Sequence, residues 1–208
     1  MFDSVKRDLY RCGDTFSERL REVFLNPGTW AVLSYRLRRW LYTLHAPTIV
    51  RRFLGPLSSI FQLWTILMTS IDLPVTAEIG PGLYIPHSGF IVVTVGARLG
   101  SNCTLAQGVT IGHGRGGKQQ DEAMPVVGDR VYFGPSSVAI GGITIGNDAL
   151  IGPGAIVTRS VPAGGVVVGN PARLISTRGS FDLISYQDMA DDRERSLAMT
   201  ALRPSEDG

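Results

Sequence analysis

Three histidines, at positions 45, 87 and 113, are the candidates for acid–base chemistry in this chain. His45 falls in a stretch with helical spacing, where a surface or packing role explains it. His87 stands in LYIPHSGFIVV, where a preceding proline and a nearby glycine favour an imidazole that points outward. Because imidazole titrates near neutral pH, it can take a proton from a hydroxyl as that hydroxyl attacks a thioester.

An imidazole with this role needs a carboxylate that fixes its tautomer, and Asp72 lies fifteen residues before His87. One aspartate and one histidine at such a distance occur by chance in many chains. The interval becomes meaningful only if the chain winds so that residues about fifteen apart lie on adjacent turns. The elements that position the pair therefore have to be established first.

A hexapeptide repeat supplies those elements. An aliphatic or aromatic residue recurs every sixth position, and most of these residues are followed by glycine: Val127, Phe133, Ala139, Ile145, Ile151 and Val157. The same lattice occurs upstream as Leu99, Leu105 and Ile111 and, in a shifted register, as Ile79, Ile85 and Ile91. Twenty of the 25 glycines lie in residues 80–169.

A period of six matches neither an α-helix nor a single alternating strand, but it is typical of a three-sided coil of stacked parallel strands. Each side takes about six residues, so one turn takes about eighteen and brings Asp72 close to His87. An antiparallel β-sandwich is the alternative, and the fixed short period disfavours it. The predicted domains are a helical cap at residues 1–71, the coil at 72–175 and a mobile polar tail at 176–208 with room for one short helix.

The polar segment GHGRGGKQQDEAMP, residues 112–125, interrupts the repeat and cannot form a strand. We expect it to leave the coil as a loop, and long loops on rigid scaffolds often carry function. His113 and Arg115 are its candidate substrate-binding residues. A disordered insertion without function is the alternative.

Several segments resemble the hexapeptide acyltransferases of the serine acetyltransferase type: IDLPVTAEIGPGLYIPHSGFIVV, GSNCTLAQGVTIG, the repeats that follow the loop, and GNPAR. The resemblance covers residues 71–175 and implies a left-handed parallel β-helix that forms a homotrimer and binds acetyl-CoA between subunits. It makes His87 the general base and Asp72 the residue that orients it. The CoA arm would meet the corners at Gly134, Pro135, Gly152 and Pro153.

Three positions depart from that family's pattern. Pro86 precedes the candidate base where the serine enzymes have an aspartate, and Ala123 and Met124 stand where they have an Arg–His pair. An amino-acid acceptor would lose partners for its charges, unless His113 or Arg115 replaced them. The order of NPGTWAVLSYRLRRWL, an apolar helix and then the coil resembles more closely the short acetyltransferases of exopolysaccharide, colanic-acid-type and capsule pathways. This resemblance and the missing charges make a sugar or glycan hydroxyl the predicted acceptor. Serine and a non-catalytic scaffold or binding role are the alternatives.

The segments on either side of the coil, with the overall composition, indicate where the protein is expected and which partners it has. Residues 23–71 contain five arginines and no acidic residue. This predicts a cap whose arginines face water, with peripheral contact at the inner face of a membrane as the alternative. The N-terminus lacks an apolar signal segment, so the cytoplasm is expected. A net charge of +2 gives no reason to expect nucleic acid, and two cysteines without ligand spacing give no reason to expect a metal.

Overall fold

A group of helices precedes a coil of short parallel strands in the computed structural model, which describes residues 1–43, 48–114 and 124–202. The helices are α1 (Phe2–Tyr10), α2 (Phe16–Leu25), α3 (Pro27–Thr43) and α4 (Thr48–Thr69). Helix α2 begins with a capping box, in which Thr15 and Glu18 satisfy each other's backbone N–H groups. Helix α3 begins at a proline, and the side chain of Asn26 accepts a bond from the Gly28 N–H at 2.8 Å.

The strands form three sides of the coil. They are β1 (Ile71–Asp72), β2 (Glu78–Ile79), β3 (Ile91–Val93), β4 (Arg98–Leu99), β5 (Thr104–Leu105), β6 (Thr110–Gly112), β7 (Val126–Val127), β8 (Tyr132–Phe133), β9 (Val138–Ile140), β10 (Thr144–Ile145), β11 (Leu150–Ile151), β12 (Ile156–Val157), β13 (Val166–Val168) and β14 (Arg173–Ser176). The first side stacks β1, β3, β6, β9 and β12, the second stacks β2, β4, β7 and β10, and the third stacks β5, β8, β11 and β13. The pairs within each side are parallel, and β14 closes the third side as an antiparallel neighbour of β13.

The repeat predicted from the sequence lines the interior of this coil. All twelve lattice residues, from Ile79 to Val157, are at most 7% exposed and belong to one buried cluster. Cys103 is also fully buried, and burial raises the pKa of its thiol to about 11. The prediction of a mainly parallel β-structure preceded by helices is therefore confirmed.

Helix α3 covers the first turn of the coil. Its residues Ala31, Val32 and Tyr35 are buried in the same cluster as the coil interior. Two of its arginines do not face water as predicted, because Arg36 is 6% exposed and Arg38 is 2% exposed. The end turn of a coil has no preceding turn to satisfy its backbone carbonyls, and these guanidinium groups donate to them instead.

The C-terminal segment contains the short helix that the sequence allowed, but its described part, residues 176–202, makes packed contacts where a mobile tail was predicted for 176–208. It contains a 3₁₀ turn (Met189–Asp191) and α5 (Arg193–Leu202). Phe181 and Ile184 are buried, and Arg195 donates to the backbone carbonyls of both. Ser180 donates to the Arg130 carbonyl of the coil at 2.6 Å, so the start of this segment packs on the coil. The described helices include none that is long and apolar enough to cross a membrane.

Candidate active site

His87 lies on the corner that joins the third side of the coil to the first. Four such corners stack along one edge, at residues 86–90, 106–109, 134–137 and 152–155. Backbone hydrogen bonds connect them in that order, from Gly108 N–H to the Gly89 carbonyl, from Ser136 N–H to the Gln107 carbonyl, and from Gly154 N–H to the Pro135 carbonyl, each 2.8 Å long. We call this column of corners the His87 edge.

The His87 corner stacks against the junction of α4 and β1, which carries Asp72. Gly89 N–H donates to the Thr69 carbonyl at 3.2 Å, and Ile91 N–H donates to the Ser70 carbonyl at 3.1 Å. The next strand pairs directly with Asp72, because Asp72 and Val92 are register partners in β1 and β3. The coil therefore brings the two predicted residues to adjacent turns of the same region.

The side chains of Asp72 and His87 are nevertheless not hydrogen-bonded to each other. The carboxylate Oδ1 of Asp72 accepts a bond from Gln62 Nε2 of α4 at 3.0 Å. The imidazole of His87 is exposed. An exposed imidazole beside a half-buried carboxylate can take a proton from a bound hydroxyl and return it to a leaving group.

The predicted coenzyme corners lie on the same edge as His87. Gly134 and Gly152 are buried, while Pro135 is half-buried and Pro153 is exposed. A Cβ on Gly134 would lie 2.8 Å from the Pro153 nitrogen, so only glycine lets the turns stack here. The structure thus explains the two glycines by packing and leaves the two prolines on the surface.

The loop residues lie elsewhere. His113 is exposed and follows β6 on the first side, so it lies at the far corner of that side from the His87 edge. Arg115 and Ala123 fall outside the described residues. Met124 is half-buried and lines a groove on the second side with Glu78 and Arg98. Within this chain, His113 and His87 therefore do not form one cluster. No group of three or more His, Cys, Asp and Glu side chains within the described ranges could hold a metal ion.

The start of α3 contributes residues to the His87 corner that were not predicted. Asn26 Nδ2 donates to the Ile85 carbonyl at 3.2 Å, to the Pro86 carbonyl at 3.3 Å and to Glu22 Oε2 at 2.7 Å. A Cβ on Gly28 would lie 2.2 Å from the Ile85 carbonyl, so the helix end approaches this part of the coil closely. The sequence NPG signals a helix start. It does not indicate which part of the coil the start of α3 contacts.

Comparison with known proteins shows the family to which this chain is related. The family model described as bacterial transferase hexapeptide (six repeats) matches residues 124–159. A serine acetyltransferase from Synechococcus elongatus is 33% identical over 181 residues, which make up 86% of this chain and 70% of the relative. One from Mycobacterium tuberculosis is 36% identical over 170 residues, covering 78% of this chain and 69% of the relative. The chain belongs to the serine acetyltransferase family.

Solved structures of the serine acetyltransferase family agree with this relationship. The enzyme from Neisseria gonorrhoeae in complex with serine has a TM-score of 0.71 at 27% identity, covering 84% of this chain and 69% of that chain. The enzyme from Brucella abortus in complex with coenzyme A has a TM-score of 0.72 at 26% identity, covering 84% and 67%. The comparisons confirm the predicted enzyme class, an acyl-CoA-dependent O-acetyltransferase with acetyl-CoA as donor.

The prediction of a sugar or glycan acceptor in exopolysaccharide or capsule biosynthesis is wrong, as is the closer likeness to colanic-acid-type enzymes. That prediction gave more weight to Pro86, Ala123 and Met124 than to the coil as a whole. The relatives named above match over 78–86% of the chain and are serine acetyltransferases. Charges missing at three positions can be supplied by other elements of a fold, and here Glu22 of α2 reaches the side chain that contacts Pro86.

Proposed function

We propose that this enzyme transfers the acetyl group of acetyl-CoA to the hydroxyl of L-serine, which was the alternative to a sugar acceptor. The identity to serine acetyltransferases across both the cap and the coil supports the acceptor. The position of His87 supports the reaction, because its exposed imidazole lies on the turn next to the half-buried carboxylate of Asp72.

His87 is the general base of the proposed reaction. Its imidazole takes the proton as the serine oxygen attacks the thioester carbon, and the carbonyl oxygen becomes an oxyanion. When the tetrahedral adduct collapses, the carbon–sulfur bond breaks and the imidazolium returns the proton to the CoA sulfur. Asp72 orients the ring and stabilises the imidazolium, which requires the imidazole to rotate toward the carboxylate.

The donor lies along the His87 edge in this proposal. Neighbouring turns are about 4.8 Å apart, which puts Pro135 about 10 Å and Pro153 about 14 Å from the level of His87. An elongated thioester can therefore place its reacting carbon at His87 while its arm follows the two proline corners. The backbone at Gly134 and Gly152 is covered by the next turn, so the exposed face of the prolines is the available contact.

Glu22 is the carboxylate that binds the serine ammonium in this proposal. Pro86 removes the acidic group expected beside the base, and the Glu22–Asn26 contact brings another to the same corner. A carboxylate at the corner that carries His87 supplies the partner that a buried ammonium requires. Glu22→Gln is expected to raise the KM for serine and to leave the KM for acetyl-CoA unchanged.

The proposed assembly is a homotrimer of left-handed coils, as the family resemblance implies. Large apolar side chains on the outer face of α4 support association with a second surface, because they are 46–73% exposed: Phe53, Leu57, Ile60, Leu63, Trp64, Leu67 and Met68. Light scattering after gel filtration tests the trimer.

Peripheral contact of the helices with anionic lipid stays a prediction, and flotation with anionic vesicles at low salt tests it.

Thiol release from acetyl-CoA tests the proposed reaction. Purified protein is expected to release CoA in the presence of L-serine, and His87→Ala is expected to lower kcat by about 10²- to 10⁴-fold. His45→Ala is the matched control, because this histidine precedes the coil in the sequence and is assigned no chemistry. The acceptor would be refuted if serine did not stimulate release. An unimpaired His87→Ala variant would refute the assignment of the base.

A further inference from the structure

The carboxylate of Asp72 is held by the helical cap. Gln62 lies ten residues earlier, on α4, and donates from Nε2 to Asp72 Oδ1 at 3.0 Å. Both side chains are half-buried. The other carboxylate oxygen, Oδ2, accepts no hydrogen bond within the part of the chain that the structure describes, so it is available to a neighbouring imidazole.

Buried polar contacts fix the surroundings of this pair. Thr65, one turn after Gln62, donates to Ser34 Oγ of α3 at 2.9 Å. Arg38 donates from Nε to the same hydroxyl at 3.3 Å and from Nη2 to the Leu73 carbonyl at 2.9 Å. The peptide that follows Asp72 is therefore fixed by α3, while its carboxylate is fixed by α4.

Asp72 has no ion-pair partner among the described residues. Arg38 is the nearby cation, and burial lowers the pKa of its guanidinium whereas the charge of Asp72 raises it. Its described hydrogen bonds go to a hydroxyl and a carbonyl and not to the carboxylate. The direct partner of Asp72 is a neutral amide, which orients a carboxylate without forming an ion pair that would compete with an imidazolium.

We propose that Gln62 is a positioning residue of the acetyl transfer: its amide fixes Oδ1 of Asp72 so that Oδ2 faces the imidazole of His87. This inference rests on the proposed function. It assigns the cap a role in the reaction besides covering the end of the coil, because α4 then carries a group that acts on the base through Asp72.

Gln62→Leu tests this role without adding charge. We expect kcat to fall about 10- to 100-fold, as for a small misplacement of a catalytic group, with the KM values for serine and acetyl-CoA changed less than twofold. Gln187→Leu, the same replacement at a half-buried position in the C-terminal segment, is the matched control. Combining Gln62→Leu with Asp72→Asn should cause no further loss beyond Asp72→Asn alone, because both act through one carboxylate.

Gln62→Glu gives a pH signature that a purely structural role would not produce. Two carboxyl groups at hydrogen-bond distance share one proton, so one pKa of the pair is strongly raised. While that proton is present, the carboxyl at position 62 donates to Asp72 as the amide does. Above the raised pKa the two charges repel, and kcat should fall as pH rises, with an alkaline limb absent from the wild type.

The outcomes separate this inference from the proposed function. If serine does not stimulate thiol release, or His87→Ala is fully active, the proposed function fails. If His87→Ala and Asp72→Asn are impaired but Gln62→Leu matches Gln187→Leu, only the role of Gln62 is overturned. A crystal structure of Gln62→Leu is independent of activity: an Asp72 carboxylate in its original position would also overturn the role.

Discussion

The contact of Asp8 with the coil gives the sharpest test of how the cap is attached. Asp8 is 2% exposed, and its Oδ1 accepts bonds from the Gly82 N–H at 2.7 Å, the Leu83 N–H at 2.9 Å and Arg36 Nη2 at 3.0 Å. Its Oδ2 accepts a bond from Arg36 Nε at 2.7 Å. Asp8→Ala therefore removes the acceptor of four donors, two of which belong to a buried cation.

The expected loss in the free energy of unfolding depends on the Arg36 charge, which stays buried after the substitution. Removing one partner of a buried ion pair costs about 3–5 kcal/mol, because the other charge is left uncompensated. Arg36 keeps its bonds to the Ile79 and Gly80 carbonyls, which places the expected loss near the lower end, at about 3 kcal/mol. At about 2–4 °C per kcal/mol for a chain of this length, Tm should fall by about 6–12 °C.

Urea unfolding measures this loss of stability for the cap and for the whole chain. The three tryptophans, Trp30, Trp40 and Trp64, all lie in the cap, so fluorescence follows the cap while circular dichroism follows the whole chain. Asp3→Ala is the matched control on the same helix. Asp3 is 76% exposed in its pair with Arg7, and such pairs contribute about 0–1 kcal/mol. Equal midpoints for the two variants would refute the reasoning.

Further predictions concern the coil and the C-terminal segment. Gly134→Ala should lower the free energy of unfolding by about 1–3 kcal/mol through overpacking, whereas Gly55→Ala, in open space on α4, should raise it by about 0.5–1 kcal/mol. Phe181→Ala should lower it by about 3–5 kcal/mol, with the exposed Leu183→Ala as control. Burial opposes the ionisation of Asp192, but hydrogen bonds from a tyrosine hydroxyl and a backbone N–H lower its pKa. Its contribution to stability should therefore be complete above about pH 4 and lost as pH falls through the lowered pKa, and Asp192→Asn should remove that dependence in acid unfolding.

Different results would contradict each of these. A neutral Gly134→Ala would mean that the turns can separate at the corner. A Phe181→Ala variant as stable as Leu183→Ala would mean that the C-terminal segment contributes nothing to folding. A pH profile unchanged by Asp192→Asn would assign the acid dependence to other carboxylates.

The coil was predictable because its period is a property of the sequence. Every sixth residue must be small or apolar to face the interior, and most of these residues stand before a glycine that lets the next turn approach. The pattern holds from Ile79 to Val157 with the two interruptions that the sequence shows, and all of its residues are buried. The pairing of strands followed from the same period, since residues one turn apart must be neighbours.

The cap and the C-terminal segment were less predictable, because their contacts depend on partners distant in the sequence. An arginine on a helix usually faces water, and composition alone predicted that for Arg36 and Arg38. Their burial follows from a requirement of the coil, whose first turn exposes carbonyls that need donors. Phe181 and Ile184 likewise stand in a polar segment, and only the position of the coil surface makes them core residues.

The candidate site contains residues that the sequence pattern could predict and one that it could not. The interval between Asp72 and His87 could be interpreted once the turn length was known, because both residues belong to the repeat. Gln62 could not be found in this way: it lies on a helix with a different period, and its contact depends on the angle at which α4 meets β1. That angle is fixed by Ser70, whose φ of 55° ends the helix, and by the bonds from the His87 corner to the carbonyls at the junction. The corner that carries His87 thus also orients the helix that holds Asp72 through Gln62, which couples the geometry of the pair to the attachment of the cap.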